Sequence, residues 1–404
     1  MTDKSAAPHA QTYRPMPGAL AGNLDEPLQL EEIQVDGVAA SVGLPNEKVD
    51  VWRRLGLTSD ELIFHQVASE MANMIGEAAM RAGHPIDVRS AKTTLLIVRP
   101  GKGSLLYLDS AAVTVQARMK VAKEAGQAIF AHEIADVSSM AFPAVEFEPT
   151  DKVVVFYREQ WRFALYFDLS GELNKPAMET SLGRLLRSMQ FANVYAVLLQ
   201  PELRAKMIES GWFPFIEIHS GEFQQISNAL MAGDDLDRVE QVLLDLFPSE
   251  RIDRLFERWL QVPIFARRRN ILRPGLDAFL ACQPVLAIKT LATEIEGILQ
   301  DAHVDVFATS GKMTGLINLA GQQAIDKAGA DSLFFPADFQ AYLQQNIFAD
   351  FDPIGGAASA SRHSAAHGAA RPEAYTQTRA LQLILTLDQL SFYLQPSPDR
   401  HASR

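Results

Sequence analysis

Residues 380–394 read Ala-Leu-Gln-Leu-Ile-Leu-Thr-Leu-Asp-Gln-Leu-Ser-Phe-Tyr-Leu, an apolar stretch with few polar interruptions. A helix that is apolar on nearly every side is typical of the centre of a helical bundle. The pattern over residues 376–394 therefore predicts the central helix of an α-helical region. Asp388 is the exception, because at helical spacing it falls on the apolar row Leu381, Leu385, Asp388 and Phe392.

A second acidic residue raises the same question. A long helix is predicted to start at Pro284, and Glu294 falls at the edge of its apolar face, on the row Ala287, Leu291, Glu294 and Ile298. A half-buried carboxylate without a partner destabilises the folded state, so both Glu294 and Asp388 are predicted to pair with cations.

Upstream of that helix, residues 176–275 predict a succession of short amphipathic helices. Pro176 and Pro201 stand where a first-turn proline belongs, and Gly211 is predicted to end a helix. Further helices are predicted at residues 223–230, 236–247 and 252–260. The aromatic run 212–216 is interpreted as part of a core, with a partner-binding anchor as the alternative.

The N-terminal part has a different periodicity. A helix is predicted from Leu62 to about Gly83, and β-prone runs follow at residues 93–98, 104–108, 153–157 and 161–169. These strands predict a small antiparallel sheet with helices against one face. The glycines and lysine of residues 100–104 precede a strand and not a helix, so a β-turn is favoured over a phosphate-binding loop. A helix capped by Asp109 is also predicted, through residue 125.

The predicted fold is thus an α+β N-terminal unit, a small antiparallel sheet with helices, followed by an all-α C-terminal region that ends in a helical bundle. The predicted limits are a disordered tail at 1–45, the α+β domain at 46–175, a helical middle region at 176–275, a helical domain at 276–395 and a tail at 396–404.

Composition narrows the class of protein. The 404 residues are 48% hydrophobic, which is typical of a chain that buries cores, and 37 basic against 49 acidic residues give a net charge of -12. That charge argues against a general basic surface for nucleic acid, so any phosphate contact must be local. Cys282 is the only cysteine, which excludes an internal disulfide and fits a reducing compartment. Without an apolar span or a secretory signal pattern, we expect a cytoplasmic protein that does not enter a membrane.

Arg267, Arg268 and Arg269, with Arg273 nearby, are the densest positive charge in this acidic chain. Such a run is typical of a solvated helix end. The alternative is a local phosphate-binding strip, the clearest means by which the chain could hold a polyanion.

The strongest functional clue is the segment Arg362-His363-Ser364-Ala365-Ala366-His367-Gly368. Arginine is permanently charged and binds phosphate, whereas imidazole can take or give a proton near neutral pH. Two alternatives stay open on the residues alone. The segment is also alanine- and glycine-rich, as a flexible linker would be, and His363 and His367 would face the same way on a helix and could share a metal ion.

The pattern resembles the signature of the HEPN domain family, in which arginine, a polar residue, three variable positions and histidine occur in that order. Arg362, His363 and His367 fill the specified positions, and the likeness extends over residues 284–394. The C-terminal half, including residues 211–215 and 294–299, also resembles uncharacterised bacterial proteins that end in a similar Arg-His-x-x-x-His-Gly segment.

The HEPN resemblance implies a bundle whose motifs meet at the interface of a homodimer and cleave RNA without a metal or other cofactor. It implies that Arg362 stabilises the phosphate, that His367 transfers the proton, and that His363 orients the site. The product would be a 2′,3′-cyclic phosphate, DNA would not be cleaved, and the protein would be a toxin or a defence effector. Glu294 and Asp388 are the predicted supporting residues. The alternative function is a non-catalytic scaffold or nucleotide-binding module in which Arg362 and His367 pair with these two acids.

Overall fold

The computed structural model describes residues 26–349 and 371–396. In this part of the chain two compact units form. Unit 1 holds residues 26–116 and 139–190, and unit 2 holds residues 117–138, 191–349 and 371–396. The chain leaves unit 1 along one strand and returns along another, so residues 117–138 form an arm that belongs to unit 2.

The strands, in chain order, are β1 (Leu28–Leu30), β2 (Val38–Ala39), β3 (Val51–Trp52), β4 (Arg54–Thr58), β5 (Thr93–Arg99), β6 (Gly103–Leu108), β7 (Thr114–Met119), β8 (Ile134–Ala141), β9 (Lys152–Glu159) and β10 (Arg162–Asp168). Unit 1 is built on a sheet of order β1-β6-β5-β9-β10-β4, in which every neighbouring pair is antiparallel. Strands β2 and β3 form a separate pair, and so do β7 and β8.

The prediction of an α+β unit with a small antiparallel sheet is confirmed. The four predicted strands are β5, β6, β9 and β10, which lie side by side in the sheet. Sequence reasoning missed β1 and β4, the two edge strands. Within residues 1–45, where a tail is predicted, the structure has the strands Leu28–Leu30 and Val38–Ala39, both too short to show an apolar period of their own.

Helices cover both faces of this sheet, not one as predicted. Helix α1 (Phe64–Arg81) packs on the face that carries Leu96 and Val98. Helix α2 (Lys175–Gln190) covers the opposite face, where the hydroxyl of Tyr157 donates to the carbonyl oxygen of Leu182 at 2.8 Å. The continuous apolar run of β5, in which alternate residues face opposite sides, is the sequence signal for two covered faces.

A further correction concerns the helix predicted after Asp109. Residues 114–119 form strand β7 instead, and Asp109 has a positive φ of 52°. Its carboxylate accepts a hydrogen bond from the backbone N–H of Thr93 at 2.6 Å. Asp109 therefore ties the end of β6 to the start of β5 and does not cap a helix, and the β-branched pair Thr114 and Val115 favours the strand that follows.

Unit 2 is mostly helical, as predicted. Its helices are α3 (Ala192–Leu198), α4 (Pro201–Glu209), α5 (Phe223–Ala232), α6 (Asp237–Asp245), α7 (Ser249–Leu260), α8 (Pro263–Arg267), α9 (Arg269–Leu280), α10 (Pro284–Phe307), α11 (Met313–Ala328), α12 (Pro336–Tyr342) and α13 (Gln377–Leu394). Helix α12 continues into a π-helical turn at Leu343–Ile347. In the described part of the chain, no helix is long and apolar enough to cross a membrane.

Helix α13 is the centre of unit 2. Every residue from Arg379 to Tyr393 is buried, and the helix contacts α6, α7, α9, α10 and α11. It begins as predicted, because the side chain of Thr376 accepts a hydrogen bond from the backbone N–H of Arg379 at 3.0 Å. The prediction of a central bundle helix is confirmed.

Polar residues of α13 hold the loop after α4 in place. The side-chain oxygen of Gln389 accepts from the backbone N–H of Ile216 at 2.8 Å, and the amide of Gln382 donates to the carbonyl of Ser210 at 3.1 Å. The aromatic residues of that loop are fully buried, and Phe213 and Phe215 both contact the ring of Tyr342. The interpretation of this run as core is confirmed.

Candidate functional site

The three predicted catalytic residues, Arg362, His363 and His367, lie outside the described residues. The site that can be built atom by atom therefore comes from the other charged residues of unit 2. They form two ion-pair clusters, one at the junction of α8, α9 and α10, and one between α7 and α13.

The first cluster joins two residues with different predicted roles, Glu294 and Arg268. Glu294, predicted as a supporting acid on α10, accepts a hydrogen bond from Nη1 of Arg268 at 2.8 Å. The Nε of the same arginine donates to Asp301 at 3.0 Å. Burial acts to lower the pKa of Arg268, but the hydrogen bonds to Asp301 and Glu294 raise it above its ordinary value. Arg268 is thus held by two carboxylates of the same unit.

A glycine on α10 makes this contact fit. A Cβ atom at Gly297 would lie 2.3 Å from Nη1 of Arg268, so a larger residue there would displace the guanidinium from its present position against the helix. Glu294 and Gly297 lie about one turn apart on α10. The carboxylate of Glu294 binds Arg268, and the absence of a side chain at Gly297 leaves space for the guanidinium.

The other two arginines of the predicted phosphate-binding strip do not join Arg268. Arg267 ends α8 and pairs with Asp305 at 3.2 Å, on the exposed surface. Arg269 is exposed at the start of α9. Two of the three arginines therefore bind acids of α10, and the strip is in large part a set of ion pairs between neighbouring helices.

The second cluster surrounds Asp388, the other predicted supporting acid. Asp388 is only 1% exposed, and both of its carboxylate oxygens lie 2.7 Å from Nη2 of Arg258 on α7. The indole N–H of Trp259 donates to the same carboxylate at 2.8 Å. Burial raises the pKa of Asp388, whereas the attraction of Arg258 acts in the opposite direction. The expected cation for Asp388 is thus Arg258.

Glu217 extends this second cluster. Its carboxylate accepts from Arg258 at 2.8 Å and from Nε of Arg251 at 2.9 Å. Arg251 also donates to Glu222 at 2.7 Å. Burial acts to raise the pKa of Glu217, but the attraction of Arg258, Arg251 and Lys120 lowers it below the ordinary value. Glu217 therefore remains a carboxylate between two guanidinium groups.

Lys120, on the arm of residues 117–138, is a cation without a carboxylate partner among the described residues. Its side chain is buried, yet no carboxylate lies within 4.0 Å of Nζ among the described residues. The ammonium makes two long contacts of 3.4 Å, to the carbonyl oxygen of Glu217 and to Oγ of Ser220. Burial is the main cause that lowers the pKa of Lys120 to about 8.

These residues line a cleft of about 1160 Å³ within unit 2. The lining includes charged, polar and apolar side chains: Met119, Lys120, Val121, His132, Glu133, Glu217, Asp253, Arg254, Leu255, Glu257, Arg258, Gln261 and Phe392. Its volume slightly exceeds the roughly 300–1,000 Å³ of typical small-molecule sites. The cleft therefore brings a low-pKa amine and a guanidinium together in a cavity that a ligand can enter.

A neighbouring histidine is structural by its contacts. His219 is fully buried, and its Nε2–H donates to the carbonyl oxygen of Ala135 at 3.0 Å. Its ring packs edge-on against Phe191. Burial lowers the pKa of His219 well below its ordinary value, so the imidazole is neutral and anchors the arm to the loop before α5.

Sequence reasoning missed Lys120, Glu217 and Arg258. Arg258 lies on the polar side of a predicted amphipathic helix, so its burial depends on where α13 packs. Lys120 was assigned to a helix, whereas it directly follows β7. The one signal in the sequence was that Asp388, a carboxylate on an apolar helix face, requires a cationic partner. The sequence does not identify Arg258 as that partner.

Comparisons with known proteins add no relative. No protein-family model matches the chain, and neither does any curated protein or solved structure. Functional inference for this chain therefore depends on its own residues: the motif at 362–367 and the cleft of unit 2.

Proposed function

We propose that the helical unit is a HEPN-like, metal-independent endoribonuclease. The single observation that carries the proposal is the hexapeptide Arg362-His363-Ser364-Ala365-Ala366-His367. It supplies one permanent cation and two titratable imidazoles over a few residues, the combination that cleavage of a phosphodiester requires.

The chemistry follows from these side chains. In one strand of RNA, the ribose 2′-hydroxyl attacks the adjacent phosphorus as His367 removes its proton, and the 5′-oxygen leaves. Arg362 stabilises the negative charge that develops on the phosphate, and His363 orients the group or protonates the leaving oxygen. The products are a 2′,3′-cyclic phosphate and a 5′-hydroxyl. DNA lacks the attacking hydroxyl and is not a substrate.

The position of the motif in the chain supports the proposal. It precedes α13, which is buried along its length and starts at Gln377. Helices α10 and α11 both pack on α13, so a rigid bundle adjoins the segment in sequence. As in the family that the motif resembles, the active form would be a homodimer that brings two motifs together.

Glu294 and Asp388 have a more limited role in this proposal than the sequence suggested. Each has an arginine from its own unit, Arg268 and Arg258 respectively. They support the site by holding α10 and α13 in the bundle, whereas binding and proton transfer fall to the motif. Arg269 is exposed and, unlike Arg267 and Arg268, pairs with no acid among the described residues, so it is the member of the run available to the RNA backbone.

The deciding experiment incubates the purified protein with mixed RNA in the presence of EDTA. We expect cleavage that Arg362→Ala and His367→Ala each reduce by about 10²-fold or more. His363→Ala should have a smaller effect. Arg238→Ala and His65→Ala, exposed residues of α6 and α1, serve as controls and should cleave like the wild type. End-group analysis should find cyclic phosphate, and single-stranded DNA should stay intact.

A non-catalytic scaffold or binding module is the second candidate, and one observation favours it. Glu294 and Asp388 pair with Arg268 and Arg258 as purely structural ion pairs between helices would, so a scaffold would depend on these pairs and not on the predicted pairs with Arg362 and His367. Under this reading, wild type and both motif variants are equally inactive on RNA while circular dichroism shows the same folded state. Cleavage that persists unchanged in both variants would contradict the assignment to Arg362 and His367.

A further inference from the structure

Lys120 differs from the arginines of the cluster between α7 and α13, because no carboxylate of the described residues contacts its ammonium group. Arg251 and Arg258 in the same cluster each contact two carboxylates, whereas Lys120 makes only two contacts of 3.4 Å to neutral oxygens. A buried ammonium without a partner is costly, and such groups are kept where they do chemistry. The packing of unit 2 therefore gives Lys120 no structural ion pair that would explain its burial.

The charges that face Lys120 come from several elements. Glu217 and Glu222, from the segment before α5, and Asp388, from α13, favour its protonated form, whereas Arg258, from α7, opposes it. The neutral His219 also lies nearby. Desolvation outweighs these carboxylates, and the pKa of Lys120 falls to about 8. A substantial fraction of the amine is thus neutral near pH 7.5, and a neutral amine is a nucleophile.

The cleft also provides a second binding group. Arg258 lines it, and Nη1 of Arg258 makes no hydrogen bond to any residue in the described part of the chain. Lys120 and Arg258 both contact Glu217, through its carbonyl and its carboxylate respectively, so the two cations have one residue as a common neighbour. The exposed Arg254 lines the cleft as well. The cleft therefore holds a guanidinium that can bind an anion and an amine that shares Glu217 with it as a neighbour.

We propose that Lys120 is a reactive amine that forms an imine with a small aldehyde or ketone bearing a carboxylate, bound in the cleft of unit 2. The carboxylate pairs with Nη1 of Arg258, and the carbonyl carbon faces Nζ of Lys120. The chemistry at Lys120 does not depend on the ribonuclease proposal.

The step is balanced without an oxidant or reductant. The neutral amine of Lys120 attacks the carbonyl carbon, a C–N bond forms, and the carbonyl oxygen takes a proton to give a carbinolamine. Loss of that oxygen as water leaves the C=N bond. Ser220 Oγ, 3.4 Å from Nζ, is the neighbouring hydroxyl that can pass the proton between nitrogen and oxygen. One amine and one carbonyl give one imine and one water.

The test uses the full chain at pH 7.5 with glyoxylate, an aldehyde with a carboxylate, and traps the imine with cyanoborohydride. Peptide mapping by mass spectrometry then locates the adduct. We expect Lys120 to be labelled at least about tenfold faster than other lysines, because its neutral fraction at that pH is far larger than that of an ordinary lysine. Propanal, which lacks the carboxylate, should label Lys120 more slowly than glyoxylate does.

Two variants separate reactivity from structure. Lys120→Arg keeps the charge but cannot form the imine, so the dominant adduct should vanish while the melting temperature stays close to that of the wild type. Lys123→Arg alters a lysine of the same arm that pairs with Glu133, and it should leave the labelling unchanged. Adducts spread evenly over surface lysines, or a labelling pattern that Lys120→Arg does not alter, would overturn the proposal. Equal labelling by propanal and glyoxylate would contradict the proposed pairing of the ligand carboxylate with Arg258.

Discussion

In the two ion-pair clusters of unit 2, the charged side chains described above each pair with an opposite charge, and Lys120 does not. Asp388 receives Arg258 and Trp259, and Glu294 receives Arg268, so each buried acid has a donor at 2.8 Å or less. Removing one partner of such a pair leaves an isolated buried charge, which destabilises far more than the pair stabilises. Lys120 pairs with no carboxylate, so its replacement would leave no buried acid without a cation.

This contrast predicts opposite effects for two substitutions to methionine. Arg258→Met should lower the free energy of unfolding by about 3–5 kcal/mol, because Asp388 would keep its burial and lose its cation. Lys120→Met should leave that free energy unchanged or raise it, because an apolar chain of similar length replaces a desolvated ammonium. Urea denaturation at pH 7 measures both. A loss of several kcal/mol in Lys120→Met would contradict the view that its charge is uncompensated.

The difference between wild type and Lys120→Met should also depend on pH. The folded-state pKa of Lys120 is about 8, below its ordinary value of 10.5. Between these values the unfolded chain binds more protons than the folded one, so the stability of the wild type rises with pH. Relative to Lys120→Met, the wild type should gain about 3 kcal/mol from pH 8 to pH 10.5. Below pH 8 the difference should be constant, and a flat difference throughout would place the pKa of Lys120 near its ordinary value.

At the scale of elements, close contact between α2 and strand β8 sets a steric requirement in unit 1. A Cβ atom at Gly183 would lie 2.4 Å from the Cα of Ser139, and backbone cannot yield cheaply. Gly183→Ala should therefore destabilise the protein by about 1–3 kcal/mol, although alanine is the better helix former.

Gly76 in α1 is the matched control, because nothing lies within 4 Å of the Cβ position there. Gly76→Ala should stabilise the protein by up to about 1 kcal/mol, since it adds helix propensity without a clash. Urea unfolding of the two variants side by side isolates the packing effect from propensity. Equal gains in stability would mean that α2 can move away from β8.

Elements with a strong period were predictable, and elements fixed by tertiary contacts were not. The burial of α13 follows from its own residues, and so do the strands β5, β6, β9 and β10. Edge strands β1 and β4 are short, and each forms hydrogen bonds to only one neighbouring strand, so their existence depends on a sheet edge that local sequence does not encode. The same limit explains why Asp388 predicted a cation but not Arg258.

At the scale of the whole molecule, the arm of residues 117–138 links two stretches of unit 1 in sequence yet belongs to unit 2. Its contacts within unit 2 are specific. The carbonyl oxygen of Ala135 accepts from His219, and Oδ1 of Asp136 accepts from the backbone N–H of Leu333 at 3.1 Å. Ala135, Asp136 and Val137 are all buried. Unit 2 is therefore incomplete as the contiguous segment that starts at residue 191.

This interleaving predicts how a fragment of residues 191–404 behaves. Without the arm, the Nε2–H of His219 and the N–H of Leu333 lose their acceptors, and the side chains that cover Ala135 and Val137 face water. The fragment should melt at a lower temperature than unit 2 does in the full chain. A synthetic peptide of residues 114–141 should raise that melting temperature in a concentration-dependent way, because it binds only the folded form.

The peptide carrying Ala135→Asp and Val137→Asp is the control for that experiment. It keeps the length of the arm but places charges where fully buried apolar side chains stood, so it should not stabilise the fragment. If both peptides act alike, or if the fragment alone is as stable as unit 2 in the full chain, the arm is a passive connection. If only the native peptide acts, unit 2 completes its fold only after residues 117–138 have packed into it. Because these residues lie in sequence between two stretches of unit 1, the folding of the two units is then coupled.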